Sequence, residues 1–290
     1  MAEVHLLAAS NAADRGLRAL ADLAAAAHGS NYRVIGGHMV RLLGRVYPTA
    51  EQSARVTADA DAGMDPVVAA GTDLHEALVR RGYRRVRGNH YEASSGPAGT
   101  LAVDLLVPST SGRRWERVEY DGRGFDAIPG LQLALSSEPL EVRVHARLTT
   151  DDTVVFDVPV PDLEAAAVLE ALAWRSRLGA KDVGDLCALM TIVFEHRNDL
   201  AGWKLDTVRK GSRGDAARVL YDVVSMIDRY QQIEGLTMVP ARLAALIRRY
   251  VAHGLTSGIR PSVSGPCRVR ERCLVIRYLN RTLPQLWRGR

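Results

Sequence analysis

At 290 residues, with 47% hydrophobic and 24% charged side chains, the chain has a globular composition and enough length for a sizeable core in one large or two ordinary domains. No apolar run reaches the roughly 18–20 residues of a membrane span. Cys187, Cys267 and Cys273 form no C-x-x-C pair, which argues against a disulfide framework or a zinc site. The net charge of +5 conceals an asymmetry. Residues 242–290 hold eleven arginines and the single acid Glu271, a local balance of +10, so residues 1–241 carry −5. A basic end on an acidic chain points to an anionic partner, nucleic acid first. The N-terminus lacks a basic stretch followed by a continuous apolar segment, so no signal peptide is expected and a cytoplasmic location is the default.

In chain order, residues 13–28 are strong helix formers stopped near Gly29. NYRVIGG (31–37) predicts a short strand ending in a glycine pair, and HMVRLLGRV (38–46) has helical spacing. SARVTADADA (53–62) reads as a strand, and VAAGTDLHEALVRRG (68–82) as one helix ended by Gly82. Paired strands are expected over 83–92 and 99–108. Further strand-like pieces follow at 131–135, 141–148 and 153–158, closed by Pro159 and Pro161. Beyond Pro161, apolar residues recur at i, i+3, i+4 over 162–178, 181–196, 214–230, 241–253 and 268–283. The expectation is an α+β chain: a mixed sheet with flanking helices over 1–160, then an all-helical domain with a basic C-terminal region over 161–290.

The stretch RVTADADAGMDP (55–66) carries the chemistry. Strand side chains alternate faces, so Asp59 and Asp61 point one way and Ala58, Ala60 and Ala62 the other. Two carboxylates this close repel unless one is protonated or a cation bridges them, and carboxylate oxygens suit Mg²⁺ or Mn²⁺. Asp104, alone in LAVDLLVP, offers a third acid on another strand, where an unpaired charge among Leu and Val is costly. Taken singly, the D-x-D pair reads first as a solvated acidic turn, and Asp104 as an edge-strand residue. An EF-hand fails, because Gly63 occupies the next ligand position and no glutamate follows at the right distance. Asp65, beside Pro66, reads as a turn or N-cap residue. The order Gly-Gly, helix, D-x-D strand, then a strand with one central aspartate favours the metal reading.

That order resembles the nucleotidyltransferase superfamily of polymerase-beta-like fold, through Gly36 and Gly37 in VIGGHM, Asp59 and Asp61 in RVTADAD, and Asp104 in VDLL. The resemblance implies that the glycine turn admits the phosphates of a nucleoside triphosphate. It further implies that Asp59 and Asp61 hold two divalent metals, Asp104 sharing one and helping to activate the attacking hydroxyl. His38 stands where the family often has serine, and the spacing from Gly37 to Asp59 exceeds that of minimal members. Residues 158–190 are similar, more narrowly, to AbiEii-type nucleotidyltransferase toxins, including the mycobacterial MenT proteins. Lys181, Asp182 and Asp185 match a K-D-x-x-D helix start there, and Arg55 and Thr57 match an R-x-T-x-D-x-D strand.

Lys181, near a helix N-terminus, adds an ammonium to free backbone amides and suits a phosphate. Arg55, on the face of the aspartates, either neutralises them or meets the triphosphate, and Asp185 either holds Lys181 or meets the nucleotide. An ordinary i, i+4 ion pair of Lys181 with Asp185 is the plainer alternative. Thr57 shares the face of the aspartates. As a β-branched residue it also suits a strand for that reason alone, and a phosphate there would compete for the cations. The function implied is a Mg²⁺-dependent toxin that transfers NMP from an NTP to the 3′ end of tRNA and blocks aminoacylation and translation, with a cognate antitoxin as partner. The arginines interleaved with Tyr278 and Trp287 are consistent with tRNA; they equally describe a solubilised helix packed by Leu274, Ile276, Leu279 and Leu283. Two alternatives stay open: NMP transfer to a protein hydroxyl, or a non-catalytic nucleic-acid- or antitoxin-binding module.

Overall fold

The computed structural model of the protein describes residues 1–50, 56–96, 99–111 and 115–254. Arg55 and everything expected of residues 255–290, including the helix at 268–283, lie outside the described residues. Strand β1 (Ala2–Leu7) turns Val4 and Leu6 inward and Glu3 and His5 outward, the period-two pattern of a half-buried strand. Helix α1 (Asn11–Ala26) begins at Ser10, whose hydroxyl accepts the Ala13 amide at 3.2 Å, and buries Leu17, Leu20 and Leu23 as one stripe.

After β2 (Tyr32–Val34) the chain turns at once into α2 (Gly36–Val46), and then runs through β3 (Asp59–Met64). Residues 68–82 make two helices rather than one, α3 (Pro66–Ala70) and α4 (Thr72–Arg80). The break is at Gly71, whose extended backbone (φ −60°, ψ 147°) cannot continue a helix. The Asp65 carboxylate caps α3 by accepting the Val67 amide at 2.8 Å.

Five strands follow: β4 (Arg84–Arg85), β5 (His90–Ser94), β6 (Thr100–Pro108) and the hairpin β7 (Glu116–Tyr120) to β8 (Arg123–Ile128). Residues 131–135, expected as a strand, are instead helix α5 (Leu131–Ser136). The alternation in LQLAL misled: Gly130 at φ 86° turns the chain out of β8, and Leu131, Ala134 and Leu135 then form a buried i, i+3, i+4 stripe. Strands β9 (Leu140–Arg147) and β10 (Thr153–Val160) follow, then helices α6 (Leu163–Arg177), α7 (Ala180–His196), α8 (Gly211–Asp228) and α9 (Pro240–Tyr250).

Among the described residues the strands make two sheets. In the smaller, β9 pairs in parallel with β1 and antiparallel with β10, an edge strand that tolerates Pro159. The larger, of seven strands, runs β2-β3-β6-β5-β4, with β8 paired to the C-terminal end of β6 and β7 to β8. It is mixed: β3–β6 and β6–β8 are parallel and the remaining pairs antiparallel. The α+β class expected from the sequence is therefore the architecture observed.

Helix α1 contacts β3 and β6 of one sheet and β10 of the other, while α6 and α7 pack against α2. The change from strands to helices falls between β10 and α6, and the apolar core is continuous across it. Met1–Leu255 forms one compact unit. Among the described residues no helix is long and apolar enough to cross a membrane.

Candidate active site

Helix α2 begins on the glycine pair. Gly36 has φ +62°, and a Cβ there would stand 2.7 Å from the Asp61 Oδ2. Any side chain would therefore be strained and would press on that carboxylate. The residue before the helix, Ile35, makes no side-chain cap, and its amide donates to the Asp61 carbonyl at 3.0 Å. A helix start without a side-chain cap leaves first-turn amides and the positive end of the dipole for an anion. Gly16 of α1 holds the entry to β3 from beneath: its Cβ would meet the Thr57 carbonyl at 2.0 Å and the His38 ring at 3.0 Å. His38, at the position where the resemblance has serine, is 1% exposed and packs inward against α1. We expect Gly36→Ala to lose about 1 kcal/mol or more of stability, as for a strained backbone site. It should also weaken nucleotide binding, and thermal melts with calorimetry would show both.

One face of the large sheet is acidic. Ala60 and Ala62 are wholly buried on the α1 side, which puts Asp59 and Asp61 on the other. Asp61 is the register partner of Asp104 across the parallel β3–β6 ladder, and His90 is the partner of Asp104 on its other side. Three titratable side chains thus stand in a row across β3, β6 and β5. The Asp104 Oδ1 lies 2.8 Å from the His90 Nδ1, and the His90 Nε2 lies 3.2 Å from the Glu92 Oε1. Asp126, on β8, accepts from the Asn89 amide at 3.2 Å.

Burial pushes the Asp104 carboxyl above its usual range; the His90 bond opposes this and the charges of Asp59 and Asp126 add to it. Burial alone would lower the His90 imidazolium, but its bonds to and the charges of Asp104 and Glu92 outweigh burial and raise it. Both groups hold protons more tightly in the fold. Their contribution to stability is present at low pH and lost as pH rises through the folded values. Thermal melts between about pH 5 and 9 should show the wild type losing more stability above about pH 6.5 than His90→Gln does.

A cleft enclosing about 600 Å³, its open mouth included, runs from this face to α6 and is lined by Gly36, Asp61, Leu106, Trp115, Leu169 and Arg177 among others. Lys181, the second residue of α7, is exposed, and Asp185 is 2% exposed; among the described residues neither lines the cleft. Arg177 lines it instead, donating to the Asp182 Oδ1 at 2.7 Å. The hydroxyl of Thr57 is buried, which leaves a modifying enzyme no access to it. His90, Trp115 and Arg177 escaped the sequence reading. His90 carried a signal, since it and Glu92 alternate with buried Tyr91 just before the Asp104 strand; Trp115 and Arg177 carried none.

The donor set fits a hard divalent cation: three carboxylates, no thiol, on one face of two adjacent strands. Among the described residues no three His, Cys, Asp or Glu side chains already close around a common point. The His90 bond engages only the Asp104 Oδ1 and leaves its second oxygen as a further acceptor for an ion.

No family model matches this sequence, and no curated protein matches it either. Among solved structures, the crystal structure of an antigenic nucleotidyltransferase-like protein from Paracoccidioides brasiliensis is similar over 79% of this chain and 96% of that one, with 11% identity and a TM-score of 0.40. A likeness of that size supports no conclusion about activity.

Proposed function

We propose that the chain is a nucleotidyltransferase that moves NMP from an NTP to a hydroxyl at the 3′ end of tRNA and releases pyrophosphate. One observation carries the reading: the β3–β6 register sets Asp61 beside Asp104, with Asp59 on the same face and Asp61 against the uncapped helix start at Gly36. A glycine turn next to carboxylates on one sheet face is what phosphate handling needs, because the anion can reach backbone amides without meeting a side chain. Divalent cations held by Asp59, Asp61 and Asp104 would neutralise the triphosphate and the developing charge.

Gly36 and Gly37 bind the phosphates through the first turn of α2, and Arg177, which lines the same cleft, adds a cation. Asp104 accepts the proton of the attacking hydroxyl, whose oxygen bonds to the α-phosphorus as the bond to pyrophosphate breaks. The tRNA acceptor and a toxin role, with an antitoxin as partner, rest on the AbiEii/MenT resemblance and on the arginine-rich end.

A second reading, a non-catalytic binding module, is favoured by the Asp104–His90 bond and by the unclosed carboxylates. Incubation with NTPs labelled at the α-phosphate, Mg²⁺, total tRNA and total protein separates the possibilities. Label on tRNA is expected. Label on protein would move the acceptor, and label on neither pool would favour the module.

A further inference from the structure

We propose that the base of the incoming nucleotide stacks on Trp115, in the cleft that Gly36 and Asp61 also line. The inference rests on the nucleotidyltransferase reading and specifies how that site holds its substrate. The cleft combines the Gly36 and Asp61 of the phosphate site with apolar Leu106, Ile128, Pro129 and Leu169, and Glu170, Ser176 and Arg177 also line it. With the phosphates at the start of α2, the part of a nucleotide left to lie on the apolar wall is its base.

Trp115 is the aromatic side chain among the described lining residues, and it is 50% exposed, whereas Trp174 and Trp203 are 6% and 4% exposed. Half an indole left in water at the mouth of a cleft is apolar area that a stacked base would cover. Arg177 completes the wall. Asp182, 4% exposed, takes two of its donors, at 2.7 and 3.4 Å, which holds the guanidinium at the cleft, and a guanidinium has further N–H groups for phosphate or ribose oxygens. Stacking uses the face every base has, so all four NTPs are expected to bind, purines more tightly through their larger face.

The test is calorimetry with Mg²⁺ on the full chain, comparing ATP, CTP, GTP and UTP with inorganic tripolyphosphate, which carries the charge and no base. Trp115→Leu should bind ATP about tenfold more weakly while binding tripolyphosphate as the wild type does. Trp115→Phe, which keeps a stacking face, should recover most of the loss. Unchanged ATP affinity in Trp115→Leu overturns the inference, and so does an equal loss for ATP and tripolyphosphate, which would make Trp115 a wall of the phosphate site. If the wild type binds neither ligand, the nucleotidyltransferase reading itself falls, and the inference with it.

Discussion

Asp61→Asn is expected to lower nucleotidyl transfer by at least about a hundredfold while leaving the fold intact. The substitution keeps the size of the side chain and removes one charge. It also leaves Ala60 and Ala62, the buried half of β3, untouched. What is lost is the carboxylate that stands both against Gly36 and beside Asp104. Losing one preorganised electrostatic group from an active site typically costs 10²–10³ in rate. Labelled-nucleotide transfer with circular dichroism on the same sample checks both halves. Retained transfer by a folded Asp61→Asn protein would remove the catalytic proposal. Asp104→Asn should fail similarly in transfer, and it discriminates further, because it removes the charge that faces His90.

The largest effect on stability is expected far from that face. Glu164, 2% exposed in the first turn of α6, accepts from the backbone amide of Lys204 and from the Arg213 Nε. It ties α6 to the start of α8 and to the loop before it. Removing one partner of a buried ion pair costs about 3–5 kcal/mol, because the remaining charge and amide are left unsatisfied. The Arg213 side chain is 26% exposed and can turn to water, which places Glu164→Ala at the lower end, about 3 kcal/mol. For a chain of this size that corresponds to a melting temperature lower by roughly 6–12 °C. Glu164→Gln keeps one acceptor oxygen but sets an NH2 donor against the other donor, so it should recover only part of the loss. Equal melting temperatures for wild type and Glu164→Ala would show that the network does not hold these helices together.

Much of the helical part was legible because its apolar residues recur at helical spacing and its ends carry local signals, such as Asp162 capping α6 by accepting the Ala165 amide at 2.7 Å. Strand β1 and the β7–β8 hairpin were missed, as their short alternating runs look like surface loop without knowledge of what covers one face. The helix at 131–136 was misread for the converse reason: LQLAL fits both periods, and only the left-handed turn at Gly130 and the neighbouring core decide between them.

The sequence by itself determined that Asp59 and Asp61 share a face and that a glycine pair precedes them, since side-chain direction along an extended backbone depends only on the residues in it. Tertiary structure alone decided that β6 lies beside β3 in the register pairing Asp61 with Asp104, that His90 stands on the far side, and that Trp115 and Arg177 meet the same cleft. Strand order and register depend on which distant segments bury their apolar faces together, and a one-residue slip would have sent Asp104 into the core. That choice belongs to the packed chain as a whole and is written in no local stretch of it.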